Sequence, residues 1–214
     1  MVREASAQRP EGGHRHEQIA ELEGAQCEHC GLSHPGPLPA AVLFDRDDTL
    51  IRDVPYNGRP ELVEPMPGAR AALELLRAHG VRLGVVTNQS GIGRGLLTEA
   101  QVSAVNRRTA ELLGPFGAWE TCPHAPAAGC FCRKPRPGML LRAMERLGAP
   151  ASATVMIGDI GADMVAASAA GCRGVLVPTA VTLAPEVAAA PAVAAHLGEA
   201  VRLALGAEAA GGSR

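Results

Sequence analysis

Asp45 and Asp47 stand two residues apart in Val42-Leu43-Phe44-Asp45-Arg46-Asp47-Asp48-Thr49-Leu50, at the end of an apolar run led in by Pro39 and Ala40. In an extended chain, side chains at i and i+2 point the same way, so both carboxylates would face one pocket. Two like charges that close are costly unless a cation or a shared proton compensates. A hard divalent ion with oxygen ligands, typically Mg2+, answers that need. The chemistry on offer is a carboxylate nucleophile beside a general acid/base. An acidic strand-to-loop turn with an Asx cap would read the same way.

Three further stretches could meet that pair. Thr87 and Asn88 follow the apolar run 81–86, and a hydroxyl with an amide there could hydrogen-bond a phosphoryl oxygen. Gly91, Gly93 and Gly95 would let a ligand approach the backbone, although a helix N-cap and a glycine-rich turn look alike. A dinucleotide fingerprint is rejected, because its third glycine would fall at Leu96. Arg133-Lys134-Pro135 offers a fixed cation that would neutralise a transition state, or simple surface chemistry before a helix. Val155-Met156-Ile157-Gly158-Asp159 is an apolar run ending in an acid that can complete a Mg2+ site, and Asp163 follows as either a further ligand or a helix cap.

Cysteine spacing points to a second metal. Cys122-Pro123-His124 and Cys130-Phe131-Cys132 are separated by five residues and supply three thiolates and one imidazole, a closed tetrahedral zinc shell with no open position. Free thiols in a Gly/Pro loop are the alternative. Cys27 and Cys30, with His29 or His34, make a poorer half-site.

These groups need strands to deliver them. Apolar runs at 41–45, 81–86, 118–121, 153–158 and 174–178 alternate with helical patterns at 69–79, 99–113, 137–147 and 162–170, and a helical tail spans 185–206 with Pro191 as a candidate break. Gly80 caps the first helix at its C-terminus, and Thr98 with Gln101 forms a capping box for the second. Such alternation predicts an α/β fold, a Rossmann-like parallel sheet with helices on both faces. Reactive groups then sit at one edge, outside the strands' carboxyl ends. Residues 1–38 read as a polar N-terminal arm with a short helix at Glu17–Glu23, residues 39–206 as the domain, and 207–214 as a tail. The 52–67 loop is long enough to be functional.

Composition narrows the class. Hydrophobic residues make up 47% and aromatics only 2%, so small aliphatics fill the core. A net charge of -2 offers nucleic acid or an anionic membrane no electrostatic footprint. No apolar run approaches the ~20 residues of a membrane span, and no signal peptide is evident. Six cysteines without an export signal fit a cytoplasmic protein, taken as a monomer.

Asp-x-Asp, then Thr, then Lys, then Gly-Asp-xxx-Asp in this order resembles the haloacid dehalogenase (HAD) superfamily across 40–178. The zinc loop, Asp-Arg-Asp and Thr-Asn-Gln-Ser-Gly-Ile-x-Arg-Gly narrow the likeness to the D-glycero-D-manno-heptose 1,7-bisphosphate 7-phosphatase group, with histidinol-phosphate phosphatases as near relatives. The resemblance implies a capless HAD fold with a zinc-binding loop and Mg2+-dependent hydrolysis of a sugar phosphate. Asp45 would be the nucleophile and Asp47 the acid/base. Mg2+ would be held by Asp45, the Asp47 backbone carbonyl and Asp159. Thr87, Asn88 and Lys134 would hold the transferring group, and Arg133 and Arg94 would meet substrate. Histidinol phosphate or another small phosphomonoester is the alternative substrate. The different-class alternative is an impaired binding protein, because Asp48 stands where the family has Gly and adds a carboxylate to the turn.

Overall fold

A computed structural model describes residues 37–206. The arm with Cys27 and Cys30, its helix at Glu17–Glu23 and the 207–214 tail lie outside those residues, apart from residues 37 and 38 of the arm. Strand β1 is Ala41–Phe44, α1 is Ala69–Ala78, β2 is Arg82–Asn88 and α2 is the single turn Ser90–Gly93. Helix α3 (Glu99–Leu113) leads to β3 (Ala118–Cys122), α4 (Gly138–Leu147) and β4 (Thr154–Gly158). The chain ends with α5 (Gly161–Ala169), β5 (Arg173–Leu176), α6 (Ala184–Ala189) and α7 (Leu197–Ala204).

All strand pairs are parallel, and their order is β3-β2-β1-β4-β5. Strand residues alternate between two cores. Val42, Phe44, Leu83, Val85, Val155 and Ile157 pack with α1, α3 and α7 on one face. Leu43, Val86 and Met156 pack with α4 and α5 on the other. Helix α3 shows why its sequence is helical: Val102, Val105, Thr109 and Leu113 form one buried stripe behind the expected capping box at Thr98. Gly84 lets α4 close on the sheet, since a Cβ there would meet Leu43 Cδ2 at 2.8 Å and Leu147 Cδ1 at 3.2 Å. Leu43 and Phe44 are fully buried, and each such side chain contributes roughly 1.5–3 kcal/mol.

The order places a topological switch between β1 and β4, because the chain winds outward from β1 in both directions. Asp45 and Asp159 follow those two strands directly. Among the described residues no cap domain interrupts the fold, and the loop after β1 holds only a 3-10 turn at Pro60–Leu62. No helix among them is long and apolar enough to cross a membrane.

Candidate active site at the sheet switch point

Backbone pairing carries β1 one residue further than its apolar run, through a hydrogen bond from Asp45 N–H to Ile157 O at 2.9 Å. The Asp45 side chain therefore leaves the sheet edge in a fixed direction, and only 13% of it is exposed. Carboxylate oxygens of Asp45, Asp159 and Asp163 lie within 4.8 Å of one another. Gly158 permits this crowding, since a Cβ there would lie 2.3 Å from Asp163 Oδ2.

Lys134 enters this group from the loop before α4. Its Nζ lies 2.8 Å from Asp45 Oδ1 and 2.7 Å from Asp163 Oδ1, and donates to Val86 O at 2.9 Å. Burial opposes the ammonium charge, but the carboxylates of Asp163 and Asp45 outweigh it, so its pKa lies above the usual lysine value. Asn88 explains how a loop residue arrives here. Its Nδ2 donates to Lys134 O and its Oδ1 accepts from Lys134 N–H, both at 3.1 Å. One Nδ2 hydrogen and Oδ1 clamp the Lys134 peptide, which leaves the second Nδ2 hydrogen for the phosphoryl oxygen that the sequence suggests.

Asp163 serves as the helix cap the sequence allowed, while its carboxylate also belongs to the cluster that could hold a metal ion. Its Oδ2 accepts from the N–H groups of Asp159 and Ile160 at the start of α5, at 3.2 and 3.3 Å, while Oδ1 meets Lys134. Burial of Asp163 raises its pKa, opposed by the Lys134 charge. Asp159 makes no ion pair with that lysine. Burial first, then the charges of Asp45 and Asp163, push its pKa up to about 8. Three carboxylates facing one lysine leave an excess of negative charge that a divalent cation would relieve, and all-oxygen donors suit a hard ion. The residues present therefore fit the expected metal.

Asp47 does not join that carboxylate cluster. The chain bends at Arg46, and the Asp47 carboxylate takes other partners while staying near enough to Asp45 to feel its charge. Arg46 grips both its oxygens, Nε to Oδ1 and Nη2 to Oδ2 at 3.1 Å each, and Gln89 Nε2 donates to Oδ2 at 2.8 Å. Burial, then the charge of Asp45, raises its pKa against the pull of Arg46. Gln89 also donates to Thr87 Oγ1 at 2.8 Å. With that lone pair occupied, the Thr87 hydroxyl hydrogen remains available as a donor. Thr87 and Asn88 are the last two residues of β2 rather than loop residues beyond it. Sequence reasoning missed Arg46 and Gln89. Their signal was a long polar side chain beside each recognised catalytic position.

Asp48 takes φ 55, the left-handed conformation that glycine would adopt, and its Oδ1 accepts from Asp53 N–H at 3.0 Å. The turn after the paired acids thus keeps its shape without a glycine. A cavity of about 260 Å³ opens beside Asp47, lined by Asp53, Tyr56, Asn57, Asn88, Gln89 and Ser90 among others. Arg94 Nη1 donates to Tyr56 OH at its rim at 3.0 Å. Arg133 Nη1 reaches His124 O at 3.5 Å.

The cysteine loop forms the predicted cluster. Sulfur–sulfur distances among Cys122, Cys130 and Cys132 are 3.3, 3.4 and 3.7 Å, and His124 Nδ1 lies 3.2 Å from Cys132 Sγ and 3.6 Å from Cys122 Sγ. Tetrahedral metal–sulfur bonds of about 2.3 Å would space ligands by roughly 3.5–3.8 Å, so the cage needs little adjustment to hold a metal. Burial pushes the Cys122 thiol up to about 12, so a cation must displace its proton for it to ligate as thiolate. The cluster hangs on β3, where Cys122 pairs with Asn88 of β2, and Gly93 N–H donates to Pro123 O at 2.7 Å.

A five-stranded 3-2-1-4-5 sheet with a β1 carboxylate, a β4 carboxylate and a buried lysine at its switch point defines the HAD-like hydrolases. The HAD-hydrolase-like family model matches residues 131–202. The D-glycero-beta-D-manno-heptose-1,7-bisphosphate 7-phosphatase of Pseudomonas aeruginosa is 41% identical over 143 residues, covering 64% of this chain and 80% of the relative. The enzyme of the same name from Escherichia coli K12 is 38% identical over 162 residues, covering 68% and 83%. The crystal structure of D,D-heptose 1,7-bisphosphate phosphatase from B. bronchiseptica, complexed with magnesium and phosphate, superposes with a TM-score of 0.69 at 30% identity, covering 77% of this chain and 98% of that one. The chain belongs to this family of HAD phosphatases, which are phosphoric monoester hydrolases.

Proposed function

We propose that the protein removes the 7-phosphate of D-glycero-D-manno-heptose 1,7-bisphosphate in a magnesium-dependent reaction. The observation that carries the chemistry is the convergence of Asp45, Asp159, Asp163 and Lys134 at the switch point, with Asp47 and Thr87 alongside. The relatives supply the substrate.

Lys134 engages Asp45 Oδ1, leaving Oδ2 to attack phosphorus and form an aspartyl phosphate. Asp47, its pKa raised by burial, gives a proton to the leaving sugar oxygen and then takes one from the water that cleaves the intermediate. Thr87 donates its hydroxyl hydrogen to a phosphoryl oxygen. Asp45, the Asp47 carbonyl and Asp159 would hold magnesium, which when bound screens the anionic nucleophile from the anionic phosphate. Arg94, hydrogen-bonded to Tyr56 of the cavity lining, and Arg133 would meet the remainder of the substrate, and that cavity would receive the sugar. Cys122, His124, Cys130 and Cys132 would hold zinc, which when bound would keep the Arg133-Lys134 loop in place without a part in bond-breaking.

Phosphate release from a panel of sugar phosphates, with heptose 1,7-bisphosphate and histidinol phosphate included, tests this reading. The heptose bisphosphate should be preferred, activity should require Mg2+, and Asp45→Asn should abolish it. Wild type and Asp45→Asn equally inert across the panel would refute the catalytic assignment, and a preference for histidinol phosphate would refute the substrate.

A further inference from the structure

Arg46 is the largest fully buried side chain in the described fold, at 1% exposure, and it lies between the two acids of the site. A guanidinium out of water is strongly destabilising unless its donors are met. Its fork takes both oxygens of Asp47, and its third nitrogen, Nη1, donates to Asn106 Oδ1 at 2.7 Å. Asn106 is a polar residue facing inward from the middle of α3. Its Nδ2 points to Thr121 Oγ1 on β3 at 3.5 Å, which keeps the carbonyl end toward Arg46. From the other side Gln89 holds Asp47 Oδ2.

We propose that Arg46 and Asn106 are positioning residues for the acid step. Asn106 fixes the plane of the guanidinium, and that plane fixes the direction from which Asp47 delivers its proton to the leaving oxygen. The inference rests on the assignment of Asp47 as the acid/base. Asn106 does not line the cavity beside Asp47. It faces a separate one of about 330 Å³ with Ser103, Thr121 and Pro123, so altering it leaves the substrate's approach unobstructed. A purely structural role is the rival account: the same contacts would tie α3 to the β1 loop.

Leaving-group chemistry separates the two. A sugar alkoxide needs a proton as it departs, whereas p-nitrophenolate leaves as a stable anion. The ratio kcat/KM covers steps only through phosphoryl transfer to Asp45, so it isolates that event. Asn106→Leu should lower kcat/KM for the preferred sugar phosphate by about ten- to a hundredfold, part of the 10²–10⁴ a general acid supplies, while p-nitrophenyl phosphate loses less than about threefold. Asn106→Ala, which removes the acceptor of Arg46 Nη1 without altering the cavity that Arg46 itself lines, should show the same split, and it decides the matter if Asn106→Leu does not fold. Equal losses on both esters, or wild-type turnover of the sugar phosphate, overturn the proposal while leaving the phosphatase reading intact. A wild-type protein inert toward both esters removes that reading, and this inference with it.

Discussion

Lys134 commits its ammonium hydrogens to Asp45, Asp163 and Val86 O, so its first partners are carboxylates and a carbonyl rather than the phosphoryl group that the motif alone suggests. In the proposed reaction its effect on phosphate would run through Asp45, with which it pairs. Asp48 shows the same lesson about local conformation. Its φ of 55 is tolerable for Asp, and the hydrogen bond from Asp53 N–H offsets the strain. Asp48→Gly removes the strain and the bond together, so its unfolding free energy should stay within about 1 kcal/mol of wild type. Asp48→Ala keeps the strain and loses the bond, and should cost about 1–2 kcal/mol in urea titrations. A more stable Asp48→Ala variant would show that the turn does not need a left-handed residue.

At the scale of elements, β3 and the cysteine loop are what bring Lys134 to the site, while Arg133 reaches back to His124 O. Cys122 ends β3 opposite Asn88, and Asn88 in turn clamps the Lys134 peptide. Arg136 ties the loop to itself through the carbonyls of Gly129 and Cys130. Removing one of the four side chains of the Cys/His cluster should therefore loosen a chain of contacts that ends at Asp45, the proposed nucleophile. Purified protein should contain about one zinc per chain, as a closed four-ligand site requires. Cys130→Ser should lose that zinc, and with Lys134 displaced by even ~1 Å its kcat/KM should fall about a hundredfold. A zinc-free variant with full activity would detach the loop from catalysis.

At the scale of the molecule, the cluster at the switch point opposes folding as pH rises. Asp159 has a folded-state pKa of about 8, raised above the ordinary carboxylate range by burial and its acidic neighbours. The folded protein holds a proton that the unfolded chain has already released, so stability must fall as pH climbs from ~4 to about 8. The loss is on the order of a few kcal/mol. Tm of magnesium-free protein should accordingly decrease between pH 5 and pH 8. Added Mg2+ should restore it, with the larger gain at the higher pH, because a bound cation replaces the proton. A Tm that ignores both pH and Mg2+ in that range would mean that the three carboxylates do not share a cation site.

Much of this was legible in the residues. The five strands lie where the apolar runs stand, α3 opens at Thr98, and Cys122, His124, Cys130 and Cys132 gather as their spacing implied. Period-two and period-3.6 patterning and short ligand spacings are local properties, and a parallel sheet converts them into a common edge for Asp45, Thr87 and Asp159. Partner choice among groups distant in sequence was not local. That Asp47 turns to Gln89, that Asn88 holds the Lys134 peptide, and that Asn106 backs Arg46 depend on which buried donors meet which buried acceptors across 42 to 60 residues of chain. Burial makes each of those pairings obligatory, and only the packed molecule determines which groups are buried together.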